Sequence, residues 1–228
     1  MAKKENGFSF RWALPPSLDV PADKLRVRLD FYSSAAVLHF VEDDGTITTR
    51  TVAPREVVLA LLRSVPLHSG LLPRHALWWA QTSEGTTVAL WRPPQVWPVA
   101  LQVEPFQPPR RFKLPMPGLI FVCRAGSPPT IYAAKKRPAR LDDLLYYAPL
   151  YNVFDNGRSC AGTHHYPDEV ERIPESFFMA FFTRAGVSQP RSKKYGTKLF
   201  ELWEAIDGKA RYPVSDLVTM GKISEVLR

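Results

Sequence analysis

Hydrophobic and polar residues alternate near the start of the chain in the way that half-buried strands require. Residues 25–31 are Leu, Arg, Val, Arg, Leu, Asp and Phe, and strand-like runs follow at 35–41 and 46–52. Asp44 and Gly45 separate these two runs, which predicts a hairpin turn. The sequence therefore predicts a β-hairpin extension at the N-terminal end of the fold.

The middle of the chain predicts one helix followed by an antiparallel meander. Pro54 opens a helical pattern over residues 55–63. Short β-rich runs then alternate with turns that are rich in proline and glycine. The predicted strands are residues 77–80, 86–91, 99–103, 118–123 and 130–134.

The last third of the chain is predicted to be mainly helical. We expect a short helix or turn at 141–147 and an irregular segment at 148–167. Helical patterns follow at 174–184, 197–206 and 214–226. Strands and a helix, then a meander, then helices predict an α+β fold with an antiparallel sheet.

The elements suggest three parts along the chain. We expect a loosely held arm over residues 1–22, one α+β domain over 23–187, and a C-terminal part over 188–228. The last part should begin with an exposed basic linker at 188–194 and continue into helices. Whether it packs back on the domain is left open by the sequence.

Composition supports a protein with an ordinary core. The chain has 228 residues, 45% of them hydrophobic, which excludes a fully disordered protein. No run approaches the roughly 18 consecutive apolar residues of a membrane span, and no signal peptide is evident, so we expect a cytoplasmic protein without membrane contact. Its two cysteines, Cys123 and Cys160, are too few for a disulfide framework.

Basic residues outnumber acidic ones by 30 to 22, and the net charge of +8 favours anionic partners. Much of the excess lies within residues 105–141, which contain no acidic residue. This stretch is either a solvated face or a docking surface for an acidic protein or nucleic acid. No recognisable nucleic-acid-binding motif accompanies it. The candidate partner-binding residues are Arg110, Arg111, Lys113, Lys135, Lys136 and Arg137.

The candidate chemistry lies in the irregular segment around Cys160. A nucleophilic cysteine needs partial exposure and a nearby dipole or donor that favours its thiolate. Asn156 and Gly157 predict a tight turn before it, and Asn152 could return to donate to a developing oxyanion. The plainer alternative is a small buried side chain, which we expect for Cys123 at the end of an apolar strand.

The two histidines that follow Cys160 allow two interpretations. His164 and His165 could contribute to a zinc site, but the other cysteine lies far upstream in a predicted strand. A turn or capping role is favoured for at least one of them. We therefore predict no metal site.

The spacing in this segment resembles that of the ubiquitin-conjugating-enzyme-like (UBC-like) superfamily. That family places a His-Pro-Asn tripeptide before its active cysteine, with the Asn eight positions and a Gly three positions upstream. Asn152 and Gly157 have these spacings relative to Cys160. Residues 114–121, Leu-Pro-Met-Pro-Gly-Leu-Ile-Phe, are also similar to the Tyr-Pro-x-x-Pro-Pro turn of the family.

The likeness covers roughly residues 25–185 and is strongest over 114–167. With its N-terminal extension and the run Cys-Ala-Gly-Thr-His-His-Tyr-Pro, the chain is similar to the protein B family of the bacterial PRTRC plasmid cassette. The resemblance implies a UBC-like antiparallel meander with flanking helices. An N-terminal β-hairpin extension and a C-terminal helical extension would complete this fold.

The resemblance also implies an activity. Cys160 would accept the C-terminal carboxyl of a ubiquitin-like modifier as a thioester from a ThiF-like activating enzyme, and would then pass it to a lysine amine. Asn152 would brace the loop or bind the oxyanion. The protein itself would need no cofactor, because ATP is consumed in the earlier step.

The sequence departs from the family pattern at several places. Leu150 and Tyr151 replace the His-Pro of the tripeptide, and the acidic residue that commonly deprotonates the incoming lysine has no clear match. His164 or His165 is the alternative base. The competing hypothesis is a catalytically inactive UBC-like adaptor that binds protein or nucleic acid through its basic face, in plasmid maintenance.

Overall fold

Antiparallel strands dominate the fold in a computed structural model, which describes residues 26–64, 71–82, 85–104, 106–160, 162–184 and 187–226. The arm predicted over 1–22 lies outside the described residues. The chain divides into two compact units between residues 70 and 71, within the single domain predicted over 23–187. Each unit is described by itself.

The first unit contains the predicted hairpin and the predicted helix. Strands β1 (Val27–Phe31), β2 (Ala36–Val41) and β3 (Ile47–Val52) form an antiparallel sheet in that order. The turn between β2 and β3 contains Gly45 with a φ of 83°, a conformation that favours glycine. Helix α1 (Pro54–Ser64) follows β3. All four elements confirm the sequence-based prediction.

The second unit contains two sheets among its described residues. Its strands are β4 (Ala76–Thr82), β5 (Gly85–Arg92), β6 (Gln95–Gln102), β7 (Arg110–Met116), β8 (Gly118–Cys123), β9 (Thr130–Ala134), β10 (Leu144–Tyr147), β11 (Phe181–Thr183) and β12 (Thr219–Lys222). One sheet has the order β12-β10-β9-β8-β5-β4, and the other has the order β11-β6-β7. Neighbouring strands are antiparallel, apart from the parallel pair β11 and β6.

The described residues of the second unit also form three short helices: α2 (Ile173–Met179), α3 (Leu199–Ile206) and α4 (Ile223–Val226). Two single 3₁₀ turns occur at Val170–Arg172 and Val214–Asp216. A fold made mainly of antiparallel strands with few helices confirms the predicted α+β class.

Trp203 of α3 connects the C-terminal part to the strands. Its side chain is fully buried and its indole Nε1 donates a hydrogen bond to the Pro149 carbonyl at 2.9 Å. Its ring meets the rings of Tyr151, Phe112 and Phe182 edge-on, with centroids 5.0, 5.6 and 5.8 Å away. The C-terminal part therefore packs back on the core of the second unit, which answers the question that the sequence left open.

Strand β7 was not predicted from the sequence. Its buried residues Phe112 and Leu114 alternate with the exposed Arg111 and Lys113, as in any half-buried strand. The preceding Pro108-Pro109 pair and the three basic residues obscured this pattern. Pairing with β6 over seven residue pairs shows that the strand is a full member of its sheet.

Two segments predicted to be helical form strands. Residues 144–147, expected in a helix or turn, form β10 between β9 and β12. Of the helix predicted over 214–226, only the last four residues form an α-helix, α4, because β12 occupies the centre of this range and pairs with β10. Short apolar runs do not distinguish a strand from a buried helix, and sheet pairing decides here.

The helix predicted over 174–184 ends early. Helix α2 stops at Met179, and Ala180 is extended with φ −70° and ψ 155°. Phe181 is 66% exposed whereas Phe182 is fully buried, which is strand alternation rather than one apolar helix face. Phe181 is therefore a surface residue of a strand and not part of a helix over 174–184.

The segment expected to be an exposed basic linker is partly buried. Arg191 and Ser192 each have a relative exposure of 1%. Arg191 is buried because it binds groups on the hairpin that precedes Cys160, as described below.

Trp203→Phe should lower the free energy of unfolding by about 1–3 kcal/mol, because it removes the indole donor to a buried carbonyl and part of a packed ring. Urea unfolding measures the change. Phe181→Ala, at an exposed aromatic, is the matched control and should change the free energy by less than about 0.5 kcal/mol. Equal effects of the two substitutions would contradict the packing described for α3.

Candidate functional site

Cys160 follows a small hairpin, here called the Cys160 hairpin, which comprises residues 153–159. Its two ends form an antiparallel bridge. The Gly157 N–H donates to the Phe154 carbonyl at 2.9 Å and closes the turn. The tight turn predicted before Cys160 is confirmed.

The first anchor of the hairpin is the beginning of β9. The Gly157 carbonyl accepts a hydrogen bond from the Ile131 N–H at 2.7 Å, and Ser159 donates to the Pro129 carbonyl through its N–H and its hydroxyl, at 3.0 and 2.6 Å. Gly157 has a φ of +82°, and a Cβ there would lie 2.6 Å from the Tyr132 ring. Only glycine fits this close approach, which gives a physical reason for the Gly three positions before Cys160.

The second anchor is Asn152, which connects Cys160 to β11. Its carbonyl accepts the Cys160 N–H at 2.7 Å. Its side-chain Nδ2 donates to the Phe181 carbonyl at 3.1 Å, and its Oδ1 accepts from both the N–H and the hydroxyl of Thr183 at 3.2 Å. β11 is the end strand of its sheet, so the amide satisfies backbone groups at a sheet edge.

This geometry bears on the two roles considered for Asn152. Its φ of 60° is a left-handed conformation that asparagine tolerates better than most residues. With its side chain bound to β11, Asn152 is placed as a brace for the chain that carries Cys160. The geometry thus favours bracing over donation to an oxyanion.

The third anchor is the buried Arg191. Its Nη2 donates to the Val153 carbonyl at 2.9 Å and to an Asp155 carboxylate oxygen at 3.0 Å. Its guanidinium lies 5.0 Å from the centroid of the Tyr147 ring. Burial lowers the pKa of Arg191, and the charge of Asp155 opposes that shift. The contact between Arg191 and Asp155 could not be predicted from the sequence, because the two residues are 36 positions apart and such a pair forms no local pattern.

The two histidines differ in their surroundings. His164 is half-buried, and its Nε2 lies 2.8 Å from the Ser176 hydroxyl on α2. Its ring also meets the Tyr166 ring edge-on, with centroids 4.9 Å apart. His165 is exposed. The structure therefore places His164 in a structural contact and leaves His165 accessible to solvent.

Tyr166 is a further residue near Cys160 that the sequence did not indicate. Burial raises the pKa of the Tyr166 phenol, negative charge at Cys160 adds to this shift, and a hydrogen bond with the Ser159 side chain opposes it. The phenol thus lies within electrostatic reach of the thiol.

The two cysteines have opposite environments. Cys160 is exposed, whereas Cys123 at the end of β8 is fully buried. Burial strongly raises the pKa of the Cys123 thiol. The prediction of a core position for Cys123 is confirmed.

The six candidate partner-binding residues fall into two groups. Arg110, Arg111 and Lys113 belong to β7, and Lys135, Lys136 and Arg137 follow β9. Gly118, the first residue of β8, pairs with Ala134, the last residue of β9. The second group therefore lies beside the junction of β7 and β8, whereas Arg110 lies at the other end of β7.

Arg110, in the first of these groups, already has a partner within the chain. Its guanidinium pairs with Glu204 on α3 at 2.7 Å. The register and this ion pair indicate two separate basic patches on the second unit.

Two absences concern only the described part of the chain. No group of three or more His, Cys, Asp or Glu side chains in it could hold a metal ion. None of its helices is long and apolar enough to span a membrane.

Comparison with known families gives a match over most of the chain. The model of prokaryotic E2 family D matches residues 56–220. The chain belongs to prokaryotic E2 family D. The match begins in α1, includes the Cys160 hairpin and ends in β12. No curated protein and no solved structure matches significantly.

Membership of family D confirms the coarser part of the resemblance described above, that to prokaryotic E2-like proteins. E2-like proteins act in general with a modifier and an activating enzyme. The closer assignment to the PRTRC cassette is taken up below as part of a proposal.

In the native family D protein, iodoacetamide should alkylate Cys160 at least about tenfold faster than Cys123, because a buried thiol reacts only when the chain opens locally. Peptide mass spectrometry after timed quenching measures both rates. Denatured protein, in which the two rates should converge, is the control. Comparable rates in the native protein would contradict the environments described for the two thiols.

Gly157→Ala should destabilise the protein by about 2–4 kcal/mol, because it combines a positive φ with a clash against the Tyr132 ring. Gly162→Ala is the matched control, since Gly162 also has a positive φ but its Cβ would meet nothing within 4 Å. Gly162→Ala should lower the free energy of unfolding by about 1–2 kcal/mol. Thermal or urea unfolding compares them, and an equal cost would show that Gly157 is not closely packed.

Proposed function

We propose that this protein is a conjugating-enzyme-like carrier. Cys160 accepts the C-terminal carboxyl of a ubiquitin-like modifier as a thioester from a ThiF-like activating enzyme and transfers it to an amine. The observation that carries the proposal is the exposed Cys160 beside a firmly anchored hairpin, in a chain of prokaryotic E2 family D.

Two acyl transfers make up the proposed reaction. In the first, the Cys160 thiolate attacks the thioester carbonyl carbon of the charged activating enzyme, a new C–S bond forms, and the enzyme's own thiolate leaves. In the second, a neutral amine attacks the same carbon, a C–N bond forms, and the Cys160 thiolate leaves. The attacking nitrogen releases one proton, so atoms and charges balance.

The residues near Cys160 have distinct roles in this proposal. The Asn152 brace and the Gly157 contact keep the thiol at the surface, where a protein-sized acyl donor reaches it. Of the two histidines we assign the proton-accepting role to the exposed His165, because His164 is engaged with Ser176.

Exposed apolar side chains close to the site support docking of the modifier. Phe154 belongs to the Cys160 hairpin and is 55% exposed, and Phe181 of β11 is 66% exposed. The Phe181 backbone is bound by Asn152, so both aromatics belong to the elements that position Cys160. Exposed aromatics of this kind mark contact surfaces more often than chance.

The proposed setting follows from the resemblance to PRTRC protein B. It is a cytoplasmic, plasmid-associated conjugation system in which the activating enzyme and the modifier are encoded beside this protein. A reducing cytoplasm would keep the Cys160 thiol available.

A charging assay with the adjacent ThiF-like and ubiquitin-like proteins and ATP tests the activity. Wild type and Cys123→Ala should form a thiol-sensitive adduct, and Cys160→Ala should form none. Cys160→Ser should give a thiol-resistant ester, if it is charged at all. Absence of any wild-type adduct, with the two partners shown to be active together, would refute the carrier function and favour the adaptor hypothesis.

Phe181→Ser should slow charging by about tenfold or less, through a higher half-saturating concentration of the modifier, while the unfolding curve stays near that of wild type. The assay varies the modifier concentration at a fixed amount of activating enzyme. Phe106→Ser, at another exposed aromatic of the second unit, is the control and should leave charging unchanged. Equal rates for wild type and both variants would exclude Phe181 from the contact.

A further inference from the structure

A groove lined by lysines lies on the C-terminal part of the second unit. Its volume is about 520 Å³. The residues that line it are Lys193, Lys194, Tyr195, Leu202, Ala205, Ile206, Lys209, Pro213, Ser215 and Asp216. None of them belongs to the basic stretch over 105–141 or to the Cys160 hairpin.

The charge of this lysine groove is not balanced internally. Lys193, Lys194 and Lys209 are exposed, and none of the three forms an ion pair with a carboxylate among the described residues. The one acidic side chain of the groove, Asp216, accepts hydrogen bonds from the Ser192 hydroxyl at 2.5 Å and from the Lys194 N–H at 2.8 Å. Its oxygens thus help to shape the turn. The three lysines outweigh the single negative charge of Asp216, so the residues that line the groove carry a net charge of +2.

The lysine groove also offers some apolar surface. Pro213 is exposed and Ala205 is half-buried, whereas Leu202 and Ile206 of α3 line the groove but are themselves fully buried. Tyr195 also lines the groove, but the Lys194 ammonium lies 5.1 Å from the centroid of its ring. A lysine above this ring competes with the stacking of a base, which favours a polypeptide over a nucleic acid.

We propose that the lysine groove binds an acidic segment of a partner protein, with an apolar side chain of that segment against Pro213 and Ala205. Charge complementarity to three unpaired lysines selects the acidic segment, and the accessible apolar surface favours at least one aliphatic or aromatic side chain in it.

This binding does not depend on the reactivity of Cys160. Cys160→Ala should therefore bind the same segment as wild type, so failure of the carrier function and failure of this proposal are separate results.

Fluorescence anisotropy of the full chain with labelled twelve-residue peptides tests the proposal. One peptide contains glutamates and two leucines, and the second has serines in place of the leucines. A twelve-nucleotide single-stranded DNA is the third probe. The leucine peptide should bind several-fold more tightly than the serine peptide, because only the first has apolar side chains that can pack against Pro213 and Ala205.

Paired charge reversals locate the site. Lys193→Glu with Lys209→Glu should weaken binding of the leucine peptide by about tenfold or more. Lys135→Glu with Lys136→Glu makes the same change of net charge elsewhere, and should weaken it by less than about threefold. All four side chains are exposed, and unfolding curves check that both variants fold.

Three results would overturn the proposal. Equal losses in the two variants would indicate diffuse attraction to a basic protein. Tighter binding of DNA than of the leucine peptide, lost on Lys193→Glu with Lys209→Glu, would make the groove a nucleic-acid site. No binding of either peptide at millimolar concentration would show that the groove takes no acidic segment.

Discussion

Backbone groups of an irregular segment that are not paired within it must find hydrogen-bond partners elsewhere, and this constraint shapes the second unit around Cys160. A helix or a sheet would satisfy them internally, but would leave the thiol less freely placed for a large partner. The hairpin finds its further partners at β9, through Gly157 and Ser159, and in the C-terminal part, through Arg191. Asn152 binds β11 in addition, so three distant parts of the sequence hold the segment that ends at the exposed Cys160.

The hairpin's contact with the C-terminal part requires a buried charge on Arg191, which is unfavourable by itself. Its Nε and Nη1 make no hydrogen bond with the described residues, so its charge is balanced mainly by Asp155 and the face of the Tyr147 ring. A buried cation with few partners is tolerated only where the geometry is well fixed. The neighbouring Trp203 cluster supplies that rigidity, because α3 packs on the strands that carry the hairpin.

Local pattern predicted much of the fold, and the failures have physical causes. The hairpin extension, α1, β8 and β9 follow from alternation and turn residues that act within a few positions. The sequence pattern places β10 in a helix or turn and β12 in a helix, because short apolar runs acquire strand structure only by pairing with each other. In the candidate site, Cys160, Asn152 and Gly157 follow from the resemblance to the UBC-like pattern, whereas Arg191 depends on contacts 36 and 38 positions away that no local pattern encodes.

The central claim is that Cys160 carries an acyl group. The most direct measurement is the mass and position of the linkage after wild-type protein has been charged and digested at low pH, where thioesters survive. We predict a mass increase of the intact protein equal to the modifier minus one water and, after digestion, the C-terminal fragment of the modifier on the peptide that contains Cys160. Hydroxylamine should remove both completely. A hydroxylamine-resistant linkage on a lysine, or a linkage on the peptide that contains Cys123, would contradict this claim.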